Sequence, residues 1–75
     1  MILLTGGSGF MGLNVAEQLL ARGDELLIYD RSPPPRGFRG DFRFEAGDVT
    51  DPNRLADIFS KCKFKSIIHL AAITA

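Results

Sequence analysis

Four glycines crowd one short stretch, Thr5-Gly6-Gly7-Ser8-Gly9-Phe10-Met11-Gly12. They satisfy two spacings at once. Gly6, Gly9 and Gly12 read as GxxGxxG, and Gly7, Gly9 and Gly12 read as GxGxxG. Between a strand and a helix, such a stretch suits the binding of a pyrophosphate. Gly6 can take the tight turn off the strand, where positive φ is open to glycine. Gly9 has no side chain, so a phosphate can approach the backbone. Gly12, one turn into the helix, lets that helix lie close to the sheet. The N–H groups at the helix start, including those of Phe10 and Met11, have no intrahelical acceptor and meet an anion with the positive end of the helix dipole. Glycine spacing alone is a weak signal, and a merely structural βα turn competes with it. The surrounding elements must decide.

A second group stands at Asp30. A carboxylate at the end of the next strand can accept from both hydroxyls of an adenosine ribose and would repel a 2′-phosphate. That favours NAD over NADP. Arg31 pulls the other way, because a guanidinium there could pair with a 2′-phosphate. The competing reading makes Asp30 a turn former ahead of Ser32-Pro33 and Arg31 a solvated loop charge.

The elements that must position these groups follow from hydropathy patterning. Ile2-Leu3-Leu4-Thr5 and Leu26-Leu27-Ile28-Tyr29 are short continuous apolar runs, as expected of strands buried on both faces of a parallel sheet. Between them, Leu13, Ala16, Leu19 and Leu20 recur at helical spacing from Phe10 to Arg22, and Gly23 is a natural stop. The result is a βαβ unit opening on the glycine turn. Ser32-Pro33-Pro34-Pro35-Arg36-Gly37 then excludes helix and central strand and predicts an extended loop to about Gly40. Phe42, Phe44 and Ala46 alternate with Arg43 and Glu45, as in an edge strand. Thr50 or Asp51 can cap a second helix with Pro52 in its first turn. Leu55, Ile58 and Phe59 form its apolar stripe, with Cys62 near its end as a small apolar residue. Ser66 to Ala72 reads as a fourth strand. The sum is an α/β chain with four parallel strands in the doubly wound order 3-2-1-4, two helices and a proline-rich loop.

Composition narrows the possibilities. The chain has 75 residues, one cysteine and one histidine. An internal disulfide is impossible and a closed zinc site implausible. Nine basic residues balance nine acidic ones, so neither nucleic acid nor an acidic membrane is the expected partner. The apolar runs are far shorter than a membrane span, and the N-terminus does not read as a signal peptide. A cytoplasmic setting with reduced Cys62 is the expectation.

Four ordered blocks carry a family resemblance. They are the glycine turn from Thr5 to Gly12, then Tyr29-Asp30-Arg31, then Gly47-Asp48-Val49-Thr50-Asp51, and finally His69-Leu70-Ala71-Ala72. Together they make the chain resemble the N-terminal part of an extended short-chain dehydrogenase/reductase, of the NAD-dependent epimerase/dehydratase type. The resemblance implies a partial Rossmann fold holding NAD or NADP, with nucleotide sugars or related carbonyl and hydroxyl compounds as substrates. It places Gly6, Gly9, Phe10, Met11 and Gly12 at the pyrophosphate, and Asp30 with Arg31 at the adenosine ribose. It gives Asp48 the adenine amino group, Val49 the side of the ring, and Leu70, Ala71 and Ala72 the wall along which the cofactor crosses the sheet.

One departure is informative. The family's chemistry uses a Tyr-x-x-x-Lys pair with a Ser or Thr beyond the fourth strand. This chain has a single tyrosine, Tyr29, followed four residues on by Pro33. Residues 1–75 are therefore expected to be the N-terminal part of a dinucleotide-binding domain, without catalytic or substrate-binding parts and inactive alone. The alternative is a stand-alone, non-catalytic nucleotide-binding or interaction module. On either reading an apolar fourth strand left as a sheet edge invites self-association.

Overall fold

Ile2–Thr5 forms β1, buried at every position. Its side chains alternate between two separate cores, as a central strand requires. Ile2 and Leu4 join Ala16, Leu19, Leu26 and Ile28 on one face, while Leu3 joins Leu27, Tyr29 and Ile58 on the other. The two helices therefore cover opposite faces of the sheet. The computed structural model describes residues 1–70.

The element order is β1, α1 (Phe10–Ala21), β2 (Leu26–Asp30), β3 (Arg43–Ala46), α2 (Pro52–Lys61) and β4 (Ser66–His69). The four strands form one sheet in the order β3-β2-β1-β4, with every pairing parallel. Both the fold class and the strand order match the sequence reading. The register aligns Thr5 with Tyr29 on one side and with His69 on the other. Asp30 lies opposite Ala46. All four strands thus end along the same margin. The chain leaving β1 enters α1 on one face of the sheet, while α2, which leads into β4, covers the other.

Some details depart from the sequence pattern. Val15 rather than Leu13 packs on the first core, and Leu13 lines a surface pocket with Pro35 and Phe38 of the proline-rich loop. That loop is not simply extended. Phe38 N–H donates to Pro35 O at 2.9 Å, and the rings of Phe38 and Phe42 meet at a 58° tilt with centroids 5.3 Å apart against the α1 core. Burying these two rings favours the turn. On α2, Phe59 is 46% exposed and meets Phe64 edge-on instead of entering the core, which Ile58 fills. Cys62 lies just past α2 in an extended conformation, half-buried against the second core. β4 is shorter than the apolar run, with Leu70 beyond its end. Ala71 and Ala72 lie outside the described residues.

Candidate functional site

The glycine turn leaves β1 at Gly6, whose φ of 75° is in the left-handed region that glycine tolerates. Gly6 N–H donates to Tyr29 O at 3.0 Å, which continues the β1–β2 ladder into the turn. Gly12 is required by close approach. A Cβ there would collide with Gly6 O and come within 2.6 Å of Gly7 Cα. The helix thus packs on the turn's own backbone, a more local contact than the helix–sheet approach expected from sequence. Gly7 has a role that spacing did not reveal. A Cβ on it would meet Ile28 Cγ2 at 2.7 Å and Leu4 Cδ2 at 3.1 Å, so the turn lies flat on the core.

Gly9 behaves differently. Its φ is −79° and an added Cβ would find only Gly6 O, at an ordinary 3.7 Å. Nothing in the fold demands glycine there. The backbone there is open to the approach of a ligand. Gly9 is the N-cap of α1, yet no side chain caps the helix among the described residues, and its first turn holds no acidic residue. The N–H groups of Phe10, Met11 and Gly12 therefore form an open anion-binding terminus. The side chains of Phe10 and Met11 are 88% and 67% exposed. Ser8 Oγ, within the turn, is buried with no hydrogen-bond partner among the described residues. An orphaned hydroxyl, a clear Gly9 and an uncapped helix start together fit a phosphate.

Asp30 closes β2 and reaches back to this turn. Its Oδ2 accepts from Ser8 N–H at 3.1 Å and its Oδ1 from Ser32 N–H at 3.3 Å. The first of these links was not legible in the sequence, since it joins residues 22 positions apart. Each carboxylate oxygen keeps a further lone pair for an external hydroxyl.

Beyond β3, Asp48 adopts a tight turn. Its Oδ1 accepts from both Thr50 N–H and Thr50 Oγ1, each at 2.9 Å. The Thr50 backbone N–H, then its hydroxyl, hold the Asp48 carboxyl below its ordinary range, and Arg31 adds a smaller push in the same direction. Asp48 Oδ2 lies 3.8 Å from Arg31 Nη1, with both groups largely solvated. Val49 packs on the second core. Asp30, Arg31, Asp48 and the turn thus meet at the C-terminal margin of β1, β2 and β3. Leu70 donates its N–H to Thr5 O at 2.9 Å and packs on the α1 core.

Arg54, Asp51 and His69 also shape this margin. Arg54 donates to Ala46 O through Nε at 3.0 Å and pairs with Glu45 at 2.6 Å, tying α2 to the end of β3. Asp51, the N-cap of α2, accepts from Arg54 N–H at 3.1 Å, which selects it over Thr50. His69 Nδ1 lies 2.5 Å from Thr5 Oγ1 and joins the ends of β4 and β1. A lone Arg or His carries no spacing signal, because its partner comes from a distant element.

The sequence profile of the NAD dependent epimerase/dehydratase family matches residues 2–75. The chain belongs to that family. The chain is 32% identical over 80 residues to UDP-glucose 4-epimerase of Lacticaseibacillus casei, covering 97% of itself and 23% of that protein. It is 38% identical over 72 residues to 3-beta-hydroxysteroid dehydrogenase of Mycolicibacterium neoaurum, covering 96% of itself and 19% of the relative. Among solved structures, UDP-glucose 4-epimerase of Thermus thermophilus in complex with NAD superposes with a TM-score of 0.83 at 30% identity. That match covers 99% of this chain and 24% of the other. Bordetella bronchiseptica WbmG in complex with NAD and UDP also gives 0.83, at 32% identity over 97% of this chain and 25% of that one. The chain therefore spans about a quarter of the length of these relatives.

Proposed function

We propose that this epimerase/dehydratase chain binds NAD along the margin just described, as the N-terminal part of a dinucleotide-binding domain in an oxidoreductase acting on nucleotide sugars or related compounds. The observation that carries the reading is the uncapped start of α1 beside a Gly9 that the fold itself does not need. The N–H groups of Phe10, Met11 and Gly12 and the orphaned Ser8 hydroxyl would hold the pyrophosphate. Asp30 would accept from the adenosine ribose, and its charge disfavours a 2′-phosphate. Arg31 faces Asp48, so its charge is already partly answered. Asp48 and Val49 would flank the adenine, and Leu70, Ala71 and Ala72 would line the path toward the nicotinamide. When bound, NAD supplies the hydride acceptor, and this chain's residues bind and orient it.

Family membership and the NAD-bound neighbours favour this reading over a stand-alone interaction module. Dinucleotide binding needs neither nucleic acid nor a membrane, and among the described residues no helix is long and apolar enough to cross one. A cytoplasmic setting belongs to the same proposal.

Calorimetric titration with NAD and NADP tests it. We expect saturable binding of NAD with weaker binding of NADP. Heat from neither cofactor would reject the reading, and a preference for NADP would mean that Arg31 outweighs Asp30.

A further inference from the structure

We infer that Asp30 acts on the pyrophosphate as well as the ribose: its carboxylate holds the glycine turn in the shape that receives phosphate. The inference rests on the dinucleotide reading above and deepens it.

Consider what ties the turn to the sheet. Gly6 N–H is bonded to Tyr29 O at 3.0 Å, at the exit from β1. Gly9 N–H reaches Gly6 O only at a long 3.4 Å, and that bond stays within the turn. Between them, Ser8 N–H donates to Asp30 Oδ2 at 3.1 Å. The Ser8 side chain adds no anchor, since its Oγ has no partner among the described residues. The Asp30 bond is therefore a cross-tie from the end of β2 to the middle of the turn, one residue before the cap of α1. The carboxylate is itself steadied by Ser32 N–H on its other oxygen, at 3.3 Å. A bond to an ionised acceptor is stronger than a neutral one. Its position fixes the backbone that leads into the open N–H groups of Phe10 and Met11.

The two roles of Asp30 predict opposite signs. A carboxylate that served only the ribose would repel a nearby phosphate. Its removal would then leave unchanged, or tighten, the binding of a nucleotide without ribose hydroxyls. A carboxylate that locks the turn behaves the other way, and its removal weakens that nucleotide too.

The test uses the chain with ADP and 2′,3′-dideoxy-ADP, followed by calorimetry. We expect Asp30→Ala to weaken 2′,3′-dideoxy-ADP about tenfold, the factor of one charged hydrogen bond. Asp30→Asn keeps an oxygen that can accept from Ser8 N–H and should recover most of that loss. Unchanged or tighter dideoxy-ADP binding by Asp30→Ala overturns the inference while leaving dinucleotide binding intact. Failure of the unmodified chain to bind ADP overturns both. A second measurement needs no variant. The Ser8 amide hydrogen, bonded to Asp30 Oδ2, should exchange with solvent more slowly than the uncapped amides of Phe10 and Met11, and a Ser8 amide that exchanges as fast as those sinks the inference even if Asp30→Ala does not fold.

Discussion

The hydroxyl of Tyr29 donates to the backbone carbonyl of Asp48 at 2.7 Å. The bond runs from a fully buried strand residue to the turn that presents Asp48, so β2 sets the height of the β3–α2 connection. Gly47 makes room for it. A Cβ at that position would collide with the Tyr29 hydroxyl and lie 2.7 Å from Cε1. The chain's single tyrosine is thus a structural strut, in keeping with its place inside a strand. Tyr29→Phe should keep the ring packing and lose the bond. We expect destabilisation of about 1 kcal/mol, or a Tm lower by roughly 4–8 °C for a domain of this size. Denaturant and thermal melts check this, and an unchanged Tm would remove the strut.

The glycines should separate into fold and function. Gly12→Ala forces a Cβ onto the backbone of Gly6 and Gly7, which cannot rotate away. We expect a loss of about 1–3 kcal/mol, as for other overpacked sites. Gly9→Ala meets only an ordinary contact and swaps one cap residue for a poorer one, so the fold should lose no more than about 1 kcal/mol. On the proposed NAD-binding reading, NAD affinity should nevertheless fall sharply, because the added methyl would stand in the path proposed for the phosphate. Equal effects of the two variants on stability would contradict the assignment.

Stability should fall at both extremes of pH, through different groups. Burial, then the nearby Asp51, raise Tyr29 above its ordinary 10.0, with Arg54 opposing and Asp48 adding a little. A group raised in the folded state contributes fully below its unfolded value and loses that contribution as pH climbs through the folded one. The Tyr29 effect is therefore an alkaline limb starting near pH 10. Asp48 is held below its ordinary 3.8 by Thr50. Its contribution is present above that value and is lost as pH drops through the lowered one. Denaturant midpoints measured across pH should lose the alkaline limb in Tyr29→Phe and part of the acid limb in Asp48→Asn.

The outer edge of β4 pairs with no strand among the described residues, and Ile67 on it is 54% exposed. We expect the chain to self-associate in a concentration-dependent way through this strand. Ile67→Lys should shift sedimentation toward the monomer, since an edge charge opposes strand addition. A monodisperse monomer at all concentrations would refute the expectation.

Much of the architecture was legible because it depends on short-range patterns. Continuous apolar runs identify strands covered on both faces, helical spacing identifies α1, and Gly6, Asp51 and Pro52 mark boundaries by local backbone chemistry. Parallel strands joined by crossovers leave few topologies, so the order β3-β2-β1-β4 followed. The approximate places of Asp30 and Asp48 at strand ends were legible for the same reason.

Sequence by itself determined the elements, their order and the chemistry available at the glycine turn. Only tertiary structure decided which groups complete one another. The Ser8–Asp30 tie, the Tyr29–Asp48 strut, the Thr5–His69 contact and the Arg54 clamp on β3 each join residues whose partner is set by sheet register and helix placement. It also decided that Gly7 and Gly12 serve packing while Gly9 stands clear. The physical reason is range. Backbone propensity and hydropathy act over a few residues, whereas a hydrogen bond or a steric collision between distant residues exists only once the chain has folded.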